Sequence, residues 1–269
     1  MLIIGERINS TRKSIGAAVK AHDTDFIRQE ALSQAAAGAH FLDCNGAVVG
    51  VEAEPETLAW LVQTCQEATG LPCAIDSPNP GAMEAALAVH QGQPFINSIT
   101  AEREKFARIL PLIKQYRAKV VALCLDDRGI PQTLEARTQA ADFLVTNLTA
   151  AGVPLDDIYL DPLVFPVSTN GEAGKQVLET IRYVRATYPG VHTTCGLSNV
   201  SYGLPVRKLL NQAFLVLCLG AGLDCVIADP TDPALMALLY AGEALLGRDE
   251  YCANYLAMAR QGKLEQRQE

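Results

Sequence analysis

The sequence predicts an α/β fold, a single closed (β/α)8 barrel, and three observations carry the prediction. Short apolar runs alternate with amphipathic stretches from one end of the chain to the other, the pattern of repeated βα units and not of segregated strand and helix blocks. Eight such runs are present. The length, 269 residues, suits one barrel, for which about 250 is typical. An open doubly wound sheet shares the alternation, because periodicity cannot show closure, but eight units in one chain favour the barrel.

In order, strands are expected at residues 2–5, 40–43, 72–76, 95–97, 119–125, 158–161, 192–197 and 224–228. After the second, Leu58, Leu61, Val62, Cys65 and Ala68 fall at helical spacing. Pro55 opens that helix, where its missing N–H is no loss, and Gly70 closes it. After the fourth, Phe106, Ile109, Leu110 and Ile113 mark another, in which Pro111 is expected to make a kink. A third spans 133–151, before the turn Gly152-Val153-Pro154. Beyond the eighth strand, 233–246 reads as the last barrel helix, 251–259 as a further amphipathic segment and 260–269 as a solvated tail. No Pro/Gly/Ser-rich linker divides the chain, so 1–269 is read as one domain.

Composition excludes several function classes. Hydrophobic residues make up 49% and charged ones 19%, ample for a core and unlike a disordered chain. The net charge of −8 supplies no basic field for nucleic acid or anionic lipid. Leu2-Ile3-Ile4 is cut short by Gly5-Glu6-Arg7, unlike a signal peptide, and no apolar run approaches the roughly 20 residues of a membrane span. A soluble cytoplasmic protein is expected. The eight cysteines are dispersed without a C-x-x-C pair and are expected to be mostly buried and reduced. The four histidines form no metal-ligand pattern, so no metal is expected.

In a βα barrel the functional site forms at the C-terminal strand ends, and here those ends are polar throughout. They carry Glu6, Arg7 and Asn9; Asp43 and Asn45; Asp76; Asn97 and Ser98; Asp126 and Asp127; Asp161; Ser198 and Asn199; and Asp229. Taken singly, each Asp or Asn reads as readily as a helix cap or turn former, and Asp43, Asp229 and Ser98 fit that role. The set shifts the balance, because Asp76, Asn97, Asp161 and Asn199 each end an apolar run on a different strand. A rim rich in Asp and Asn, with few lysines and no histidine, suits a donor-rich heterocycle better than a phosphate. A pterin presents a ring N–H beside an exocyclic amine, two parallel donors for one carboxylate, and its remaining polar atoms suit amides. No G-x-S-x-G elbow, P-loop or G-x-G-x-x-G motif is present. A glycosidase site calls for aromatic platforms, and the one Trp, Trp60, reads as core.

Six segments, in order, then resemble the methyltetrahydrofolate–corrinoid protein methyltransferases, which are related to the pterin-binding module of cobalamin-dependent methionine synthase. They are Gly5-Glu6-Arg7-Ile8-Asn9, Leu42-Asp43-Cys44-Asn45, Ile75-Asp76-Ser77, Ile96-Asn97-Ser98 with Ala101-Glu102-Arg103-Glu104-Lys105, Tyr159-Leu160-Asp161-Pro162-Leu163, and Gly196-Leu197-Ser198-Asn199-Val200-Ser201. The resemblance implies a pterin-binding TIM barrel that moves a methyl group between N5 of tetrahydrofolate and the cobalt of a corrinoid carried by a partner protein, in either direction. It implies that Asp76, Asn97 and Asp161 hold the pterin and that Asn199, the expected catalytic residue, also binds it near N5. Glu6, Asn9, Asp43, Ser198, Arg207 and Asn211 are expected around these four. The loops Gly46-Ala47-Val48-Val49-Gly50 and Tyr202-Gly203-Leu204 depart from the family pattern and bear on which corrinoid partner docks. A homodimer is implied by the family, and the apolar stretch 209–219 is either its interface or core.

Two rivals remain. Dihydropteroate synthase shares the pterin barrel, but resemblance to it would call for a Gly-Gly-Glu-Ser-Thr-like loop after the second strand and a Ser-x-His-like ending, where this chain has Asn45-Gly46-Ala47 and Ala228-Asp229-Pro230. The other is a non-catalytic barrel that binds folate or docks a corrinoid protein.

Overall fold

The computed structural model describes residues 1–264, so the end of the expected polar tail, 265–269, lies outside the described residues. Eight parallel strands form one sheet: β1 (Leu2–Gly5), β2 (Phe41–Cys44), β3 (Cys73–Asp76), β4 (Phe95–Ala101), β5 (Lys119–Asp126), β6 (Ile158–Asp161), β7 (His192–Thr193) and β8 (Cys225–Ala228). Their order is β7-β6-β5-β4-β3-β2-β1-β8, so β1 lies between β2 and β8, as in a barrel. Closure comes from the segment after β7. Gly196 bridges Ile227 of β8 in parallel, and Ile227 N–H donates to the Cys195 carbonyl at 3.0 Å. The expected seventh strand at 192–197 is therefore interrupted: its ladder stops at Thr193, and from Leu197 to Ser201 the chain winds into a 3₁₀ turn.

The connections are α1 (Lys13–Ala21), α2 (Thr24–Ala36), α3 (Glu54–Thr69), α4 (Pro80–Val89), α5 (Arg103–Tyr116), α6 (Leu134–Ala150), α7 (Ala173–Thr187), α8 (Arg207–Ala221) and α9 (Pro233–Leu245), with α10 (Ala253–Arg260) beyond them. The first connection holds two helices, α1 ending at His22 in the left-handed region and α2 capped by the Asp23 side chain. Thr133 caps α6 by accepting from Ala136 N–H, and Gly70 ends α3 at φ 70°. α5 continues through Pro111. Trp60 packs against the core only in part: it stacks on His22 with centroids 3.9 Å apart and donates to the Thr24 hydroxyl.

Seven cysteines are buried, Cys252 is exposed, and all eight are free. Cys44 and Cys65 sulfurs lie 3.8 Å apart. Among the described residues no helix is long and apolar enough to cross a membrane.

Two apolar layers fill the space between strands and helices. A third cluster plugs the barrel itself: Ile4, Phe41, Ala74, Phe95, Val121, Tyr159, Cys225 and Ile227. Phe95 meets Phe41 and Tyr159 edge-on, with centroids 4.8 and 4.7 Å apart. The barrel has no lumen at this level, and anything it binds must sit above the plug.

Candidate active site

Side chains on a strand alternate between its two faces, so the residue two positions beyond each plug residue also points inward, one layer higher. Glu6 thus follows Ile4, Asp43 follows Phe41, Asp76 follows Ala74, Asn97 follows Phe95, Leu123 follows Val121 and Asp161 follows Tyr159. All six line one cavity of about 710 Å3 at the C-terminal ends of the strands. The seventh position contributes Gly196 and the 3₁₀ turn bearing Ser198 and Asn199, and the eighth Ile227 and Asp229. The cavity brings together every expected site residue: Asp76, Asn97, Asp161, Asn199, Glu6, Asn9, Asp43, Ser198, Arg207 and Asn211.

Hydrogen bonds tie most of them to one another or to adjoining residues. Asn97 donates to Asp43 at 3.0 Å, and Asn45 donates to Asp76 at 3.0 Å while its oxygen accepts from the Ser10 hydroxyl. Asp161 accepts from the Leu163 N–H at 2.8 Å, and Ser198 donates to Glu6 at 2.9 Å. Arg207 donates to the Ser201 hydroxyl and the Ser198 carbonyl, and Asn211 accepts from Ser201. Arg207 and Asn211 therefore brace the turn that carries Asn199. Of Asp76, Asn97, Asp161 and Asn199, Asn199 is the exposed one. Its amide nitrogen sits where a Cβ on residue 196 would meet it at 2.9 Å, so Asn199 can hold this position only over a glycine.

Burial sets the protonation states. It pushes the Asp161 carboxyl up to about 6 against the lowering effect of the Leu163 and Gly196 N–H groups and the Arg137 charge. Burial likewise lifts Asp76 to about 6, with the Asn45 hydrogen bond opposing and the Glu54 charge assisting. Asp43 is raised well above the carboxylate range by burial and then by the charge of Asp76. The Asp76 charge and full enclosure both favour the protonated form of Asp43. Glu6 is raised by burial, with Ser198 opposing. Above pH 6 the cavity thus offers two ionised acceptors, Asp76 and Asp161, while burial and the Asp76 charge favour the neutral form of Asp43.

Three expectations need correction. Asn97 does not end its strand: β4 runs on to Ala101 because Ile99, Thr100 and Ala101 are buried and keep pairing with β5 after a register shift between Asn97 and Ile99. The Asn97–Ser98 peptide is cis. Asp43 is no helix cap, being 3% exposed and held inside the barrel by Asn97. Asp126 and Asp127 are turned away from the cavity, Asp126 to Arg128 and Asp127 to Arg103. Asp229 does shape a turn, accepting from Thr231, and pairs with Arg7, which also binds Glu30. Of the two unusual loops, Tyr202 reaches the cavity, whereas 46–50 forms a 3₁₀ turn that does not line it.

Sequence reasoning missed Asn45 as the partner of Asp76, Gly196 as the seat of Asn199, and the apolar wall of Leu123, Leu163, Val164, Leu197, Ile227 and Leu235. The period of two was the signal for Leu123 and Ile227. No local pattern marks the others.

The chain matches the family model described as pterin binding enzyme over residues 5–229. It is 36% identical over 267 residues, 98% of each chain, to a methylcorrinoid:tetrahydrofolate methyltransferase of Eubacterium limosum. It is 33% identical over 240 residues to methionine synthase of Mycobacterium tuberculosis, a match covering 84% of this chain and 20% of that one. Among solved structures it resembles dihydropteroate synthase from Xanthomonas albilineans in complex with 7,8-dihydropteroate, with TM-score 0.69, 20% identity and 91% and 93% of the two chains covered. The Yersinia pestis dihydropteroate synthase gives TM-score 0.69 at 16% identity, with 91% and 93% covered. At such identities these two structures speak to the fold alone.

Proposed function

The chain belongs to the pterin-binding enzyme family, and from that premise we propose that it transfers a methyl group between the cobalt of a corrinoid, carried by a partner protein, and N5 of tetrahydrofolate. The observation that carries the reading is the convergence of Asp76, Asn97, Asp161 and Asn199, from four separate segments, on one cavity. The full-length similarity to an enzyme named for transfer from a methylcorrinoid to tetrahydrofolate supports it and favours tetrahydrofolate as the acceptor.

In this reading Asp76 and Asp161, ionised at neutral pH, take the paired donors and remaining N–H groups of the pterin, and Asn97 answers its carbonyl or ring nitrogen. The plug beneath sets the depth at which the ring stops. N5 then faces Asn199 at the mouth, where the corrinoid must approach. The lone pair of N5 forms the new N–C bond, the cobalt–carbon pair stays with the departing cobalt, and N5 releases its proton. In the reverse direction N5 must be protonated before it can leave. Asn199 cannot supply that proton, but its carbonyl accepts a hydrogen bond from protonated N5 and stabilises the charge there. Glu6, its carboxyl raised and joined by Ser198 to the Asn199 turn, is the titratable group suited to exchange the proton with N5.

We also place the protein in the cytoplasm, where seven buried free thiols would stay reduced, and read it as a homodimer. The 209–219 stretch divides into an inner face of Phe214, Leu215, Cys218 and Leu219, and an outer face on which Leu209, Leu210, Val216 and Leu217 are exposed. That outer row repeats at helical spacing and suits a matching row on a second copy.

The test is methyl exchange between methylated corrinoid protein, or methylcobalamin, and tetrahydrofolate. Tight folate binding without exchange against several corrinoid donors would make this a binding module. Condensation of a pterin with p-aminobenzoate would make it a dihydropteroate synthase.

A further inference from the structure

Arg137 has no place in the site just described, yet its surroundings are unusual for an arginine. It lies on α6, behind the barrel wall, and is 1% exposed. Its Nη1 donates to the carbonyls of Pro162 and Leu163, the latter at 2.7 Å, and Nη2 reaches the Gln176 side chain on α7 at 3.4 Å. Among the described residues its Nε makes no hydrogen bond. The ionisable groups facing it are Asp161 and the Cys124 thiol. A guanidinium keeps its charge even when buried, and neutral carbonyls do not cancel that charge, so its field extends to whatever lies behind them.

What lies there is Asp161. The two carbonyls belong to the turn that immediately follows it, and the Leu163 N–H is the donor that grips its carboxylate at 2.8 Å. Leu163 sits at φ 64°, a left-handed conformation disfavoured for a side chain with a Cβ. It is held there from both sides, its N–H by Asp161 and its carbonyl by Arg137. The other ionisable groups that face Asp161 are thiols, Cys124 on β5, Cys195 after β7 and Cys225 on β8, all buried and held neutral. Among the described residues Arg137 is the permanent charge of that set.

We propose that Arg137 is a positioning residue for Asp161: it pins the 162–163 turn in the conformation that aims the carboxylate into the cavity, and it sets a fixed positive charge behind that carboxylate. The proposal rests on the reading of the cavity as a folate site.

Two variants separate its parts, with tetrahydrofolate affinity measured by calorimetry from pH 5 to 8.5 and folding checked by thermal melting. Arg137→Met removes the charge. The pH at which binding weakens on acidification should rise by about one unit, and Asp161→Asn in the same background should abolish that shift. Arg137→Lys keeps the charge but has one terminal nitrogen on a differently shaped stem, so it cannot serve the two carbonyls and Gln176 together as Nη1 and Nη2 do. Affinity should fall several-fold at every pH with the wild-type midpoint retained. A folded Arg137→Met protein with the wild-type midpoint, or Arg137→Lys with wild-type affinity, overturns the proposal. So does loss of folding in both variants, which would assign Arg137 to barrel stability. Wild-type protein that binds no tetrahydrofolate would instead sink the reading of the site itself.

Discussion

Asn97 and Asp43, on strands separated by β3, are joined by a 3.0 Å hydrogen bond across the floor of the cavity. A second amide, Asn45 on the segment after β2, holds Asp76 on β3 at the same distance. Asp43 and Asp76 are thus each steadied by a side-chain amide from another strand segment, so this part of the site is arranged before any ligand enters.

Asn199 stands apart from this floor, exposed at the mouth. Asn199→Ala is expected to lower the methyl-transfer rate about 100-fold or more while weakening binding of unmethylated tetrahydrofolate only a few-fold. Rapid-mixing kinetics beside calorimetry checks it, and equal losses in both would make Asn199 a binding residue only.

Gly196 is constrained by that same side chain. In Gly196→Ala the new methyl would lie 2.9 Å from the Asn199 amide nitrogen, and the far end of Asn199 must swing aside. Turnover should fall at least tenfold, with the melting temperature little changed. Wild-type turnover would show that Asn199 has no required resting position.

The carboxylates give the site a pH dependence of definite sign. Asp76 and Asp161 both titrate at about 6, and only the ionised forms accept two donors. Tetrahydrofolate affinity should be full at pH 8 and fall as the pH drops through 6, and Asp161→Asn should bind weakly at pH 8 with a shallower acid limb. The free protein should behave oppositely. A carboxyl with its pKa raised by folding stabilises the fold below its unfolded value near 4 and ceases to do so as the pH rises through 6. Asp161→Asn should therefore melt higher than wild type at pH 8, and an unchanged or lower melting temperature would contradict the assigned burial effect.

At the opposite end of the barrel, His192 bridges Asp224 and Asp156, each at 2.9 Å. The Asp224 hydrogen bond is the main cause of its raised pKa, assisted by Asp156. Its contribution to stability should be complete below the unfolded value of about 6.5 and disappear as the pH rises through the higher folded value. Wild-type melting temperature should decline by a few degrees from pH 6 to 8, and His192→Gln should flatten that decline without altering folate binding. A decline of the same steepness in the variant would refute the assignment.

The proposed homodimer rests on the outer face of α8. Leu217 is 55% exposed in the single chain, and Leu217→Asp should convert a dimer to a monomer in sedimentation equilibrium while leaving the fold intact. A wild-type protein that sediments as a monomer removes the dimer reading at once.

Much of the fold was legible because it is local. Strand and helix signals lie within a few residues of one another: Pro55 and Gly70 bound α3 to within a residue, and the expected strands coincide with β1, β6 and nearly β3. The polar strand ends were legible for the same reason, since a chain that leaves an apolar run on an Asp or Asn announces it in sequence. β7 was misread because Cys195, Gly196 and Leu197 are as apolar as a strand, and only the approach of Ile227 shows that they close the barrel through one bridge and then turn.

The sequence by itself determined the repeating βα units and the polar residues that end the apolar runs, because these depend on periodicity. Only the tertiary structure decided that Asp43 is a buried partner of Asn97 with its pKa raised, that Asp126 turns outward, and that Arg137 stands behind Asp161. Protonation and orientation depend on which distant groups share a low-dielectric space, and that distance is measured through the folded molecule and not along its chain.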